Sequence, residues 1–124
     1  MDKQKTILVA EDDQLYASVY QNKLGKEGFN VVLAVNGVEA LKKTKELKPD
    51  LVLLDLIMPE MDGFTALEKM KADPETKKIK VIVMSNLGQD SDIKRAKELG
   101  AEEYFVKASI SIQDLVNKIR DYLK

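Results

Sequence analysis

Acidic residues stand directly after two apolar runs of the sequence. Glu11, Asp12 and Asp13 follow the run TILVA, and Asp55 follows the run LVLL. An ionised carboxylate is costly to hide from water without a partner, and two carboxylates about 5 Å apart repel each other by on the order of 3 kcal/mol at an effective dielectric of about 20. A divalent cation would relieve this repulsion, and a set of ligands that are all oxygen favours Mg²⁺ over softer metals. These residues therefore predict a magnesium site.

A hydroxyl group and an ammonium group occur at the ends of two later apolar runs. Ser85 follows KVIVM, and Lys107 ends EYFVK. With a metal ion and Lys107 on the oxygens of a phosphoryl group, Ser85 could donate a hydrogen bond and Asp55 could act as the nucleophile. Taken singly, these residues have simpler explanations: a surface lysine, a loop hydroxyl and the start of a turn. Their occurrence together and in this order favours phosphoryl-group chemistry.

The elements that must position these residues begin with five short apolar runs. The runs are rich in Val, Ile and Leu and mostly lack polar alternation, which is typical of strands covered on both faces. They occupy residues 6–10, 30–34, 51–55, 80–84 and 103–107.

Stretches with helical periodicity lie between and after these runs. The residues predicted to face the core from the first three helices are Leu15, Val19 and Leu24, then Val38, Leu41 and Leu47, then Phe64, Leu67 and Met70. The last helix has the clearest amphipathic pattern, formed by Ile112, Leu115, Val116, Ile119 and Leu123. The fourth, within residues 89–99, has a small apolar face, which predicts that it is held less firmly. Asp13, Asp62 and Ser111 are expected to cap the first, third and last helices.

Five alternations of strand and helix predict an α/β fold with a doubly wound parallel sheet, because the crossovers must be right-handed and place helices on both faces. Ligands of such folds bind beyond the carboxyl ends of the strands. The acidic residues, Ser85 and Lys107 are all expected at that edge. We expect a single domain over residues 1–124, without internal repeats.

The composition excludes several classes of function. The sequence contains no cysteine and no histidine, so a disulfide, a thiolate nucleophile, a Ser-His-Asp triad and a histidine-based zinc site are all ruled out. The formal net charge is −1, which gives no sign of direct nucleic-acid binding. No apolar run is long enough to span a bilayer and the first residues do not resemble a signal peptide, so we expect a cytoplasmic protein that does not bind membranes.

Four segments together resemble the receiver domain of two-component response regulators, and in particular the single-domain chemotaxis type. They are ILVAEDD, LVLLDLIMPEMDG, VIVMS and GAEEYFVKA, which match the acidic pair, the phosphoacceptor segment, the hydroxyl strand and the lysine strand of that family. The resemblance covers the whole chain. It implies a flavodoxin-like (βα)5 fold with the strand order 2-1-3-4-5.

The resemblance implies a Mg²⁺ cofactor and names its ligands. Asp12 would bind the ion directly, and Glu11 would contribute through bound water. Asp55 and the backbone carbonyl of Ile57 would complete the ligands that the protein supplies.

The resemblance also implies roles in phosphoryl transfer and signalling. Asp55 would accept a phosphoryl group from a partner histidine kinase or phosphotransfer protein, and Ser85 and Lys107 would hold the phosphoryl oxygens. Tyr104 would be the aromatic switch residue that turns inward as Ser85 moves. The fourth helix, fifth strand and fifth helix would then form the surface that acts on a downstream protein. Because the chain has no histidine, the phosphodonor must be another protein or a small molecule.

The sequence departs from the family pattern beside the predicted site. Ala108 follows Lys107 where the family usually has a proline, commonly in a cis peptide, so the Lys107–Ala108 bond is expected to be either strained or trans. Asn86 occupies the position of a smaller residue. Ile57 and Leu87 offer no polar group that could orient water, which predicts slow autodephosphorylation.

The leading hypothesis is a stand-alone phosphoacceptor that signals by binding a protein, as a monomer or weak dimer, and is not an enzyme in the ordinary sense. The alternative is a receiver-like interaction module that works without phosphorylation. A Mg²⁺-dependent phosphohydrolase is less favoured, because Ile57 stands where that class needs a second acid two residues after the nucleophile. A nucleotide-binding domain is weaker still, since no glycine-rich loop follows the first strand.

Overall fold

The apolar runs form a parallel sheet in the computed structural model, which describes residues 4–124. The strands are β1 (Thr6–Ala10), β2 (Asn30–Ala34), β3 (Leu51–Leu54), β4 (Lys80–Ser85) and β5 (Glu103–Val106). Every pair of neighbours is parallel, and the order across the sheet is β2-β1-β3-β4-β5. The predicted fold class and strand order are confirmed.

Helices cover both faces of this sheet. They are α1 (Gln14–Lys26), α2 (Gly37–Leu47), α3 (Gly63–Ala72), α4 (Asp90–Glu98) and α5 (Ile112–Tyr122). Side chains of α1 and α5 pack on one face, together with Ile7 and Val9 of β1. Side chains of α2, α3 and α4 pack on the other face, together with Leu8 and Ala10. This alternation along β1 follows from the two-residue repeat of a strand.

Burial differs between the central strands and the edge strands. The apolar residues of β1, β3 and β4 are buried, as expected of strands covered on both faces. The middle residues of β2 are only half-buried, and so are most residues of β5. Both faces of these two strands are still covered, since Val32 and Val106 pack against one core cluster and Leu33 and Phe105 pack against the other. They are less buried because an edge strand has a neighbouring strand on one side alone.

The predicted core-facing residues are correct for α3 and wrong for much of α1 and α2. Phe64, Leu67 and Met70 are buried, but Leu15 is 73% exposed and Val19 is 44% exposed. In α1 the buried residues are Ala17, Tyr20 and Leu24, and in α2 they are Gly37, Ala40 and Thr44. Val38 and Leu47 of α2 are exposed. Both buried sets keep helical spacing, but most of their members are small or partly polar and do not stand out in a search for large apolar residues.

In the last two helices the core positions follow the sequence pattern. Leu115, Val116 and Ile119 of α5 are buried, and Ala96 is the buried residue of α4. The small buried face of α4 agrees with the weak apolar pattern of its sequence.

Polar side chains cap the starts of α1, α3 and α5. The Asp13 carboxylate accepts hydrogen bonds from the N–H groups of Leu15 and Tyr16, and Asp62 and Ser111 cap α3 and α5. These three caps are as predicted.

Within residues 4–124, no helix is both long enough and apolar enough to cross a membrane.

Candidate functional site

The sheet brings the predicted site residues to one edge. Ala10, the last residue of β1, pairs with Leu54, the last residue of β3. One residue further on, the Glu11 N–H donates to the Ala34 carbonyl at 2.9 Å, and the Asp55 N–H donates to the Ala10 carbonyl at 3.0 Å. The two acidic residues are thus the first residues after their strands, and the continued hydrogen bonding of the sheet places them side by side.

Glu11, Asp12 and Asp55 form a cluster in which one carboxylate oxygen of each lies within 4.8 Å of the others. Glu11 and Asp55 are 3% and 7% exposed, whereas Asp12 is exposed. Asp13 is engaged as the cap of α1. The cluster therefore offers two buried oxygen ligands and one at the solvent side. An all-oxygen set of this charge suits a hard divalent cation such as Mg²⁺.

An open cavity of about 220 Å³ lies over this cluster. Its walls come from the ends of four strands and from α1, and they are formed by Glu11, Asp12, Asp13, Tyr16, Asp55, Ile57, Ser85, Asn86 and Lys107. The cavity thus contains the predicted ligand and phosphoryl-binding side chains in one space.

Lys107 supplies the positive charge inside the cavity. It is the first residue after β5, its side chain is buried, and its ammonium group donates to the Asp55 Oδ2 atom at 3.1 Å and to the Glu11 carboxylate. The Lys107–Ala108 bond is trans, since residues 4–124 contain no cis peptide. A single 3-10 turn over residues 107–109 follows the strand. The lysine therefore reaches the carboxylates without a cis bond.

Burial and charge both act on these groups. Burial raises the pKa of Glu11 to about 7, and the Asp55 charge adds to that rise, while Lys107 and the Asp13 N–H oppose it. Burial alone would lower the pKa of Lys107, but the hydrogen bond that it donates to Glu11 and the two negative charges outweigh burial and raise that pKa. Lys107 therefore stays charged, and its charge keeps the carboxylates together.

Both oxygens of Asp55 have partners. Oδ2 faces Lys107, and Oδ1 accepts from the Leu56 N–H at 2.8 Å and more weakly from the Ile57 N–H at 3.4 Å. The Ile57 side chain is 58% exposed at the rim of the cavity. The carboxylate that is predicted to accept a phosphoryl group is thus held in place by the backbone of its own loop.

Ser85 and Tyr104 are linked through hydrogen bonds to the backbone of Leu87. The buried Ser85 hydroxyl accepts from the Leu87 N–H at 3.2 Å, and the Tyr104 hydroxyl donates to the Leu87 carbonyl. Tyr104 is buried, so its ring faces inward. Leu87 is apolar as the sequence shows, but its backbone is the part that connects the predicted hydroxyl and switch residues.

Sequence reasoning missed one residue of the cavity. Tyr16, in the first turn of α1, places its ring centroid 4.4 Å from the Lys107 Nζ atom. Its position one helical turn after the acidic cap was the available signal, but the contact with Lys107 depends on how the fold brings the start of α1 close to the residue after β5.

Comparison with known proteins identifies the family to which this chain belongs. Residues 7–120 match the family model of the response regulator receiver domain. The chain belongs to the response regulator receiver family. Receiver domains are signalling domains of two-component systems rather than classical enzymes, and they generally bind Mg²⁺ at an acidic pocket and take phosphoryl groups from kinases.

Relatives and solved structures agree with this assignment. The receiver domain is 37% identical over 124 residues to sporulation initiation phosphotransferase F of Bacillus subtilis, covering 99% of this chain and 96% of that protein. It is 39% identical over 105 residues to the chemotaxis protein CheY of Thermotoga maritima, covering 83% and 85%. A solved complex of CheX, CheY, BeF3 and Mg²⁺ from Borrelia burgdorferi matches with a TM-score of 0.88 and 28% identity, covering 97% of this chain and 90% of that one.

Relatives of the receiver domain differ in length. The chain spans 48% of the DNA-binding dual master transcriptional regulator RpaA of Synechocystis, with which it is 30% identical over 118 residues. The receiver fold thus also occurs as one part of longer proteins.

Proposed function

We propose that this receiver domain accepts a phosphoryl group on Asp55 from a histidine kinase or phosphotransfer protein, in the presence of Mg²⁺, and signals to a partner protein as a single domain. The observation that carries the proposal is the position of the Asp55 carboxylate. It lies between the Lys107 ammonium and two backbone N–H groups, and it belongs to an acidic cluster with the composition of a Mg²⁺ site.

In the proposed reaction an Asp55 carboxylate oxygen attacks the phosphorus of the donor. A bond forms between that oxygen and phosphorus as the bond between phosphorus and the donor nitrogen breaks, and the donor imidazole leaves with the electron pair. Glu11, Asp12, Asp55 and the Ile57 carbonyl would hold Mg²⁺, which neutralises charge on the phosphoryl oxygens when it is bound. Lys107 would move from the carboxylates to a phosphoryl oxygen, and Ser85 would donate to another.

We further propose that the signal leaves through Ser85, Leu87 and Tyr104 to the surface of α4, β5 and α5. The hydrogen bonds of Leu87 to the Ser85 hydroxyl and the Tyr104 hydroxyl support this route. If Ser85 turns its hydroxyl toward a phosphoryl oxygen, the segment through Leu87 must shift, and the Tyr104 ring and the neighbouring helix must follow. The structure of CheX with CheY is an example of a relative bound to a protein.

The proposal is tested by phosphorylation with a small donor. The protein is incubated with acetyl phosphate and Mg²⁺, and its mass is measured intact and after peptide mapping. We expect a phosphoryl adduct on Asp55 that survives acid and is lost in base, and no adduct when EDTA removes the metal.

Two variants make the test specific. Asp55→Asn should form no adduct. Asp62→Asn should still form it, because Asp62 caps α3 and lies outside the acidic cluster. Absence of the adduct in the wild-type protein, or an unchanged adduct in Asp55→Asn, contradicts the proposal.

A further inference from the structure

The aromatic ring of Tyr16 lies against the Lys107 ammonium. The Nζ atom is 4.4 Å from the ring centroid, and both residues line the cavity over the acidic cluster. A cation at this distance over the face of an aromatic ring is attracted by the ring's quadrupole, and the attraction is larger when the cation is shielded from water. The Lys107 side chain is only 4% exposed, so this condition is met.

The proposed reaction requires Lys107 to give up its other contacts. Within residues 4–124 the hydrogen-bond acceptors of its ammonium are the carboxylates of Glu11 and Asp55. Both carboxylates are proposed ligands of Mg²⁺, and Asp55 is the proposed acceptor of the phosphoryl group. Lys107 therefore has to exchange its carboxylate partners, whereas Tyr16 is neither a metal ligand nor a phosphoryl acceptor and its contact can persist.

The backbone around Lys107 does little to hold the side chain. Residues 107–109 form one isolated 3-10 turn, and Ala108 and Ser109 are exposed. The ring of Tyr16, by contrast, belongs to α1 and is supported from behind. It stacks on Tyr20 with ring centroids 6.0 Å apart and an interplanar angle of 26°, and Tyr20 is buried in the core.

We propose that Tyr16 is a positioning residue for Lys107, holding the ammonium in the cavity while its partners change from carboxylates to phosphoryl oxygens. The inference rests on the proposed function of Asp55 and adds a residue to it. Tyr16 acts through Lys107, and what it needs for this is the face of its ring and not its hydroxyl group.

The test compares Tyr16→Leu, which removes the ring, with Tyr16→Phe, which keeps it. We expect Tyr16→Leu to lower the rate of Asp55 phosphorylation by acetyl phosphate about threefold to thirtyfold, the range that a cation–π contact of ordinary strength gives. Tyr16→Phe should restore most of the rate. Acetyl phosphate is used because a small donor leaves contacts with a partner protein out of the measurement.

A second measurement detects the contact between the Tyr16 ring and Lys107 directly. Protons held over the face of an aromatic ring resonate upfield, so the NMR signals at the end of the Lys107 side chain should lie upfield in the wild-type protein and in Tyr16→Phe. They should move to the usual lysine position in Tyr16→Leu. Because Tyr16 supplies no Mg²⁺ ligand, Mg²⁺ binding measured by calorimetry should not weaken in either variant.

Tyr122→Leu is the matched control. Its ring lies 5.8 Å from the Nζ atom of Lys80. Lys80 is the first residue of β4 and Ser85 is the last, so this contact lies at the end of the strand away from the site. Removing this second lysine–tyrosine contact should leave phosphorylation by acetyl phosphate unchanged.

The outcomes separate this inference from the function on which it rests. A folded Tyr16→Leu protein that is phosphorylated at the wild-type rate, or a Tyr16→Phe protein as slow as Tyr16→Leu, overturns the role of Tyr16. If the wild-type protein forms no adduct on Asp55, the proposed function fails. The NMR comparison then still decides whether the Tyr16 ring holds Lys107, and unshifted Lys107 signals in the wild-type protein overturn the inference.

Discussion

At the scale of single residues, the site depends on Lys107 and two buried carboxylates. Glu11 and Asp55 would repel each other without it, and the charge of Lys107 offsets part of the rise in the pKa of Glu11 that burial causes. Breaking a buried ion pair on one side leaves the other charge uncompensated. The same ammonium also opposes a metal cation that uses these oxygens, so Lys107 has opposite effects on the metal-free and metal-bound protein.

Replacing Lys107 by methionine should strengthen Mg²⁺ binding. The variant removes a positive charge that lies near the cation and frees the oxygens of Glu11 and Asp55, and we expect an increase in affinity of about tenfold. The measurement is calorimetry at pH 8, above the pKa of Glu11. Lys42→Met, which removes an exposed lysine of α2, is the control and should change the affinity little. Equal or weaker Mg²⁺ binding in Lys107→Met would show that the ammonium does not oppose the ion.

Replacing Ile57 by asparagine should accelerate loss of the phosphoryl group. The Ile57 side chain is exposed at the rim of the cavity and offers no hydrogen bond to an attacking water. One such hydrogen bond contributes about 1 kcal/mol, which corresponds to about a fivefold faster hydrolysis. The rate is followed by the release of inorganic phosphate from the purified phosphoprotein. An unchanged rate in Ile57→Asn would mean that this position does not orient water.

At the scale of elements, the loop that carries Asp55 is packed against the first turns of two helices. A Cβ atom on Gly63, at the start of α3, would lie 2.2 Å from the Asp55 carbonyl oxygen and 2.6 Å from the Leu56 Cα atom. A Cβ atom on Gly37, at the start of α2, would lie 2.0 Å from the Met61 carbonyl oxygen. These approaches require glycine, because the neighbouring atoms belong to the backbone and cannot rotate away. The sharp turn from β3 to α3 is thus held by contact as well as by the Asp62 cap.

Replacing Gly63 by alanine should destabilise the protein and slow phosphorylation together. Forcing a methyl group against the backbone of Asp55 and Leu56 costs about 2 kcal/mol or more, and the backbone shift displaces the Asp55 carboxylate. Urea unfolding measures the loss of stability, and labelling with acetyl phosphate measures the rate of phosphorylation.

Gly25→Ala is the control for this substitution. A Cβ atom on Gly25 meets nothing within 4 Å, and the residue lies in α1, so alanine should stabilise by about 0.5 to 1 kcal/mol. If Gly63→Ala were as stable and as active as the wild-type protein, the close approach of α3 to the Asp55 loop would not constrain the site.

At the scale of the whole molecule, the site belongs to no single element. Its carboxylates, hydroxyl and ammonium come from the ends of β1, β3, β4 and β5, and the first three of these strands also form the buried centre of the fold. An ion that bridges Glu11, Asp12 and Asp55 would therefore connect strands that are far apart in the sequence. A ligand that binds only the folded state stabilises that state, and the gain is about 2.7 kcal/mol at a hundred times the dissociation constant.

Adding Mg²⁺ should raise the free energy of unfolding of the wild-type protein by about 1 to 3 kcal/mol at saturating concentration. The effect should be lost on adding EDTA. It should also be strongly reduced in Asp12→Asn, whose exposed side chain makes the substitution itself nearly neutral for folding. Asp62→Asn and NaCl at equal ionic strength are the controls, and urea titration provides the measurement. Equal stabilisation by NaCl would argue against a specific ion site.

Much of this molecule could be predicted from the sequence because its signals are local. Short Val-, Ile- and Leu-rich runs that alternate with amphipathic stretches have one economical arrangement, a parallel sheet covered by helices. The residues just past each run must then lie at one edge. Capping by Asp13, Asp62 and Ser111 depends on neighbours within three residues, so it too was predictable.

Only the tertiary structure decided which face of α1 and α2 is buried, since the rotation of a helix is set by how it packs on the sheet. It also decided that the Lys107–Ala108 peptide is trans, and that the Lys107 ammonium is shared by Glu11, Asp55 and the ring of Tyr16. The sequence by itself determined the types of side chain at the site and the edge where they meet. Their pairing depended on distances between residues far apart in the chain, which only the folded structure brings within contact.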